Sequence, residues 1–179
     1  MNFTTRNNKV IRISKYCPGD LDDLFHYLQH LGEATRKRFG PHPFDRSSLQ
    51  DFHASPEHAG YIATENDAGR IIAYAIIKNG MLHHDIPRLQ SYGLQPDASG
   101  DCTFAPSVAD DWQSFGIGDG LFRFILSDVS EKKQKRIILW GGVQADNQKA
   151  VNYYLKNGFN MLGQFDYNGP NYDMILNLP

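Results

Sequence analysis

Cysteine is nearly absent: Cys17 and Cys102 are the only two in 179 residues. Two thiols so far apart make neither a disulfide framework nor a Cys-x-x-Cys metal or redox motif, and a reducing compartment is the plain expectation. Long apolar runs are missing too. No stretch approaches the ~20 apolar residues that cross a bilayer, and Met1 to Lys15 has no apolar core of the signal-peptide kind, so no membrane association and a cytoplasmic location are expected. A basic excess is also lacking, with 18 Lys and Arg against 20 Asp and Glu for a formal charge of −2. That argues against a nucleic-acid footprint. What remains is ordinary globular composition, 41 % hydrophobic and 21 % charged, in a length that suits a single domain over 1–179.

The order of elements reads as mixed α/β. Val10 to Tyr16 alternates apolar and polar residues like a half-buried strand. After Pro18-Gly19, Asp20 can cap a helix to about Leu31, with Leu21, Leu24, Leu28 and Leu31 on one stripe. Gly40, Pro41 and Pro43 break the chain, and a short helix is expected at Ser47 to His53. Gly60–Glu65 and Arg70–Ile77 flank Asn66-Asp-Ala-Gly69 and read as a hairpin. Residues 81–100 show no period and read as an irregular insertion. Then follow a strand at Cys102–Val108, a helix at Gly118–Glu131, a strand at Arg136–Trp140, a helix at Asn147–Lys156, and strands near Met161–Tyr167 and Tyr172–Leu178.

Gln113-Ser-Phe-Gly116-Ile-Gly118 lies between a strand and an amphipathic helix whose stripe is Ile117, Leu121, Phe124, Ile125 and Val129. Glycines there let successive N–H groups converge before the helix N-terminus, a natural seat for a diphosphate. An ordinary glycine turn would use the same residues. A P-loop requires Gly-Lys-Ser/Thr, whereas Asp119-Gly120 follows Gly118. The spacing Gly116-Ile-Gly118-Asp-Gly120 also departs from a Rossmann fingerprint.

Twenty-nine residues after Gly118 begins Asn147-x-x-Ala150-x-x-x-Tyr154-x-x-x-Gly158-Phe159. Ala150, Val151, Tyr154 and Leu155 share a helical face, and Gly158 suits a left-handed C-cap. The two motifs in this order, with a strand between them, resemble the GNAT superfamily of acetyl-CoA-dependent N-acetyltransferases over roughly residues 101–167. The resemblance implies a mixed, mostly antiparallel central sheet of about six to seven strands flanked by about four helices. It implies acetyl-CoA as cosubstrate, backbone at Val108 pairing with the pantetheine arm, and Gln113, Ser114, Phe115, Gly116, Ile117 and Gly118 around the diphosphate. Asn147 would touch the cofactor arm and Tyr154 would protonate the leaving thiolate. Ser114 stands where glycine is more usual, Asp110 where proline is common, and Asp119 should point away from the phosphates.

The chemistry then requires a neutral amine. An ammonium of pKa about 10.4 is neutral at pH 7 about once in 10³, a cost near 4–5 kcal/mol, so a base is needed. Asp101 and Glu65 rank first, before His83 and His84. The expected reaction is direct attack in a ternary complex, with a small-molecule primary amine as acceptor. A protein lysine or N-terminus as acceptor, a non-catalytic CoA-binding module, and a homodimeric assembly stay open. Arg36, Lys37, Arg38 and His42 are read as either a charged surface loop or a preference for acceptors bearing a carboxylate or phosphate. His26 with His30 reads as a surface pair, His83-His84-Asp85 as no metal site, and the cations from Lys132 to Arg136 as a solvated helix end.

Overall fold

The computed structural model describes residues 1–66 and 69–179 and divides into two compact units. The first comprises Met1–Ile77 and Ala105–Asp128, the second Lys78–Phe104 and Val129–Pro179. The expected hairpin turn at 66–69 falls partly outside the described residues.

In the first unit, β1 (Asn2–Thr4) pairs antiparallel with β2 (Val10–Lys15), and β2 with β3 (His58–Glu65). β4 (Ile71–Asn79) and β5 (Asp101–Val108) follow in strand order, with β4 up to Ile77 and β5 from Ala105 in this unit and their other ends in the second. β2 alternates as its sequence predicts, with Ile11 and Ile13 fully buried between exposed neighbours. In β4 the run Ile71 to Ile77 is buried without alternation, because both faces of the strand are covered. Helix α1 (Leu21–Gln29) buries Leu24, Tyr27 and Leu28. Asp20 does not cap it. Its carboxylate instead accepts the Cys17 N–H at 2.8 Å, closing the 3-10 turn Pro18–Asp20 that feeds the helix. The helix also stops two residues before Leu31, which is buried just beyond its end. A second helix, α2 (Glu33–Arg38), has no counterpart in the sequence reading. α3 (Arg46–Ala54) begins at Asp45, whose carboxylate accepts the Ser48 N–H at 2.9 Å.

The second unit contains α4 (Ile86–Ser91), which corrects the expectation of an irregular 81–100. Pro87 sits in its first turn, where the missing N–H costs nothing. Leu89 anchors it in a cluster with Met81, Ile138 and Ile175. A six-residue helix is too short to display a period. β6 (Arg136–Leu139) pairs parallel with β5 and antiparallel with β9 (Pro170–Asn177). β7 (Val143–Gln144) and β8 (Asn160–Asp166) both pair antiparallel with β9. The β5–β6 register covers Asp101–Phe104 and stops there.

Two further helices carry the motifs. α5 (Ile117–Glu131) buries Ile117, Leu121, Phe122 and Ile125, with Phe124 half-buried rather than central to the stripe. α6 (Gln148–Lys156) buries Val151 and Tyr154. The fold is thus mixed α/β with a mostly antiparallel sheet, as expected. Among the described residues it has nine strands and six α-helices, more than the expected counts. The surplus lies in β1, β7, α2 and α4, all short.

Candidate cofactor and acyl-transfer site

In the first unit, a 3-10 turn at Asp110–Trp112 leaves the end of β5, anchored by buried Trp112. Gln113 folds back so that its Nε2 donates to the Val108 carbonyl at 3.2 Å. Ser114 and Gly116 then both take left-handed backbone, at φ 71° and 83°. This places the carbonyls on one side of the turn. Phe115 O accepts the Arg6 N–H at 2.9 Å, Ser114 O faces the Arg6 guanidinium at 3.4 Å, and Gly116 O accepts the Gly120 N–H at 3.1 Å. The backbone amides of Ser114, Phe115, Gly116 and Ile117 donate to no other described residue. Four N–H groups without a partner among the described residues thus precede a fifteen-residue helix, an arrangement whose backbone and dipole can receive an anion.

Sequence reasoning missed Arg6. It lies in the β1–β2 connection, and its guanidinium pairs with Asp119 at 3.5 Å. The acidic residue expected beside the phosphates is therefore neutralised by a cation that also borders the turn. Gly120, which only spoiled a fingerprint in the sequence, has a packing reason: a Cβ there would lie 2.9 Å from the Phe3 ring.

Asp110 also finds its reason. Its two carboxylate oxygens accept the Gly32 N–H and the Thr35 hydroxyl, each at 2.7 Å. Helix α2 begins at a glycine with no side chain to cap it, so Asp110 caps it from 78 residues away. The Gln113 amide also approaches Thr35 Oγ1 at 3.4 Å. The turn at 113–116 and α2 are fastened together.

Tyr154 and Asn147 belong to the second unit. Asn147 caps α6, its Oδ1 accepting the Ala150 N–H at 3.3 Å, while its Nδ2 has no partner among the described residues. Gly158 takes φ 88°, the left-handed end expected of it, and sends Phe159 into the interior. The Tyr154 ring lies among Phe104, Tyr153 and Phe159, with centroids 6.5, 5.2 and 5.4 Å away. Phe159, the last residue of the motif, thus helps to wall in the tyrosine. Its hydroxyl makes no hydrogen bond among the described residues. No fully enclosed side-chain polar atom there lacks a partner, so the hydroxyl itself meets solvent. Burial raises the phenol's pKa, keeping it protonated at neutral pH.

The base candidates are placed differently. Asp101 is 0 % exposed; Arg136 grips it with Nε at 2.6 Å and a terminal nitrogen at 3.0 Å, and the Asp97 N–H donates at 2.7 Å. These two residues face each other at the start of the parallel β5–β6 register, so the pair locks two strands. Glu65 lies in the first unit, loosely paired with Lys9 at 3.5 Å and Arg70 at 3.7 Å. His83 and His84 are exposed, and Asp85 is buried against Arg88 at 2.8 Å. His26 and His30 stack on each other at 4.0 Å.

A second polar cluster in the first unit has no sequence signal. Buried Tyr74 sits between His53 Nε2 at 2.8 Å and His42 Nε2 at 3.2 Å. His42 Nδ1 donates to the Pro43 carbonyl at 2.9 Å, so its Nε2 accepts from the phenol, and His53 supplies the complementary N–H. Burial holds both imidazoles neutral, His53 down to about 4. Ser107 joins this cluster to Tyr27, its hydroxyl 3.0 Å from the phenol and 3.2 Å from the Tyr74 carbonyl.

The profile of the acetyltransferase (GNAT) family matches residues 25–159. The GNAT domain of Streptomyces lividans PAT is similar with a TM-score of 0.77 at 17 % identity, over 99 % of this chain and 96 % of that one. YncA of Salmonella typhimurium, solved with its cofactor acetyl-CoA, gives 0.71 at 14 %, over 94 % of each chain. The ribosomal-protein-S18-alanine N-acetyltransferase of Escherichia coli gives 0.63 at 19 %, over 93 % of each. At such identities the likeness is one of fold. Among curated proteins none matches in sequence. No helix of the described residues is long and apolar enough to cross a membrane.

Proposed function

This chain belongs to the acetyltransferase (GNAT) family, whose members take their acetyl group from acetyl-CoA, and we propose that it transfers that group to the primary amine of a small molecule. The profile match runs through both compact units, which supports reading 1–179 as one catalytic domain.

The observation that carries the reading is the run of four unpaired amides from Ser114 to Ile117. Those amides and the α5 dipole suit the two phosphates, with Gln113 and Gly118 closing the turn at either side. Val108 lies in the part of β5 beyond the β6 register, where an extended pantetheine arm can pair with backbone. Asn147 offers Nδ2 to an amide carbonyl of the same arm. Acetyl-CoA supplies a thioester activated toward amines.

Tyr154 holds a proton on a hydroxyl without a protein partner among the described residues, as a general acid for a departing thiolate would. Of the two carboxylates considered as bases, Asp101 is enclosed and spans Arg136, so it serves the register of the sheet better than proton transfer. Glu65 keeps access to solvent through its looser pairs, and we assign it the exchange of the amine proton through water.

Tyr154→Phe tests the reading. Turnover, followed as free thiol released from acetyl-CoA, should fall by about 10²–10⁴, the usual worth of a general acid, while CoA affinity holds. Polyamines, amino acids, amino sugars, aminoglycosides and peptides belong in the acceptor panel. Peptides as the sole acceptors would shift the reading to a protein acetyltransferase. CoA binding without thiol release would make the chain a CoA-binding module.

A further inference from the structure

A cleft of about 560 Å³ opens in the first unit, lined by Leu31, Glu33, Arg36, Lys37 and Phe44. It is a shallow, open-sided depression, so a ligand seated there keeps one side in solvent. Its walls are of two kinds. Leu31 and Phe44 are apolar and at least half-buried, whereas the α2 side chains are charged and exposed.

The charged residues are not equivalent. Lys37 Nζ lies 2.7 Å from Glu33, so these two neutralise each other along one side of α2. Arg36 has no carboxylate partner among the described residues. It is held in other ways: its guanidinium carbon lies 5.2 Å over the Phe44 ring, and a terminal nitrogen points at the Gln29 carbonyl at 3.4 Å. Gln29 in turn fixes Phe44 by donating its Nε2 to the Phe44 carbonyl at 2.6 Å. The ring lies beside the guanidinium without using its N–H groups, which remain the fork that meets a carboxylate with two parallel hydrogen bonds. The net charge of the lining is +1, located on Arg36.

Position in the fold adds a second, independent argument. Asp110 caps α2 with two 2.7 Å hydrogen bonds, and Asp110 stands at the entrance to the cofactor turn. The helix bearing Arg36 is therefore fastened to the segment assigned to acetyl-CoA. A cation at a helix C-terminus is common for reasons of the dipole alone. The dipole does not account for the aromatic ring beside Arg36 or for its lack of a carboxylate partner among the described residues.

We propose that this cleft is the acceptor's carboxylate subsite, with Arg36 as its recognition residue, so that the enzyme prefers amines carrying a carboxylate and an apolar portion. The proposal rests on the acetyltransferase reading. It divides the four basic positions of the sequence reading: Arg36 and Lys37 line the cleft, Arg38 does not, and His42 is buried on Tyr74.

The experiment compares matched acceptors, α- and ω-amino acids against the amines lacking only the carboxylate, with wild type, Arg36→Gln and Arg36→Lys. Arg36 is exposed, so neither substitution threatens folding. Arg36→Gln should raise the KM for carboxylated acceptors about tenfold, the scale of a lost charge-assisted fork, and leave the matched neutral amines within about twofold. Arg36→Lys should recover only part, since the charge remains but the fork is lost. CoA affinity, measured by calorimetry, should not move in either variant. Thiol release that continues with equal KM for both acceptor classes in all three proteins overturns the subsite and leaves the transferase reading standing. Absence of thiol release with every amine defeats the transferase reading first, and the subsite falls with it.

Discussion

Two arginine–carboxylate pairs place the same groups in opposite settings. In the second unit, Arg136 holds Asp101 through two bonds of 2.6 and 3.0 Å, with the carboxylate fully buried. In the first unit, Arg6 and Asp119 meet at one contact of 3.5 Å, with the arginine 63 % exposed and the aspartate 14 %. A desolvated, bidentate pair is fixed: removing either partner strands a charge in a low-dielectric interior. A single exposed contact is screened by water and worth little, so its arginine can exchange partners. The first arrangement suits architecture and the second suits ligand binding, although both look alike in the sequence.

The largest expected effect tests the fixed pair. Asp101→Asn should lower unfolding stability by about 3 kcal/mol, the scale of breaking a buried ion pair, read from denaturant midpoints. Where the variant is folded, turnover per active site should stay near wild type. A collapse of kcat in folded protein would return Asp101 to the role of base and break the contrast.

Titration sharpens it next. His53 is held neutral by burial, down to about 4 from 6.5. A histidine whose folded pKa lies below its unfolded value loses stability as pH falls between those two values, because the unfolded chain binds the proton first. Stability should therefore be full above pH 6.5 and decline toward pH 4. His53→Gln should flatten that decline relative to wild type. An unchanged slope would assign it to other groups.

How much of this the sequence discloses depends on how local the cause is. β2 is legible because Ile11 and Ile13 alternate with exposed neighbours, and α6 because Asn147 and Gly158 mark its ends. The turn before α5 is legible for the same reason: Gly116, which helps to reverse it, lies within it. Helix α2 is not, since its cap, Asp110, is 78 residues away. Arg6 escapes notice because the turn it flanks follows it by 108 residues. Asp101 reads as a free carboxylate until the sheet register sets Arg136 opposite it. Chemistry-bearing residue types are visible in a sequence; the partners that assign them to architecture or catalysis are not.

The exchangeable pair gives a smaller effect. Arg6→Gln should weaken CoA binding about tenfold and make it less salt-dependent, as expected when one phosphate-facing cation is lost. Adding Asp119→Asn separates two roles. If Arg6 only neutralises Asp119, the double variant regains full affinity. If its guanidinium leaves Asp119 for a phosphate, affinity recovers only in part, and calorimetry at two ionic strengths reads the difference.

The smallest effect concerns Ser114, which stands where the family resemblance favours glycine. Its φ of 71° is a left-handed conformation that costs a residue with a Cβ about 1 kcal/mol. Its side chain makes no hydrogen bond among the described residues to offset that strain. Glycine would remove the strain but would also give the unfolded chain more freedom. The net expectation is a gain of about 0.5 kcal/mol, or about 1–2 °C in Tm for a chain of this size. CoA affinity should remain within about twofold, since the amides of the turn are backbone groups that either residue presents alike. A less stable Ser114→Gly protein would mean that the hydroxyl holds the turn. The nest would then depend on a side chain as well as on its backbone.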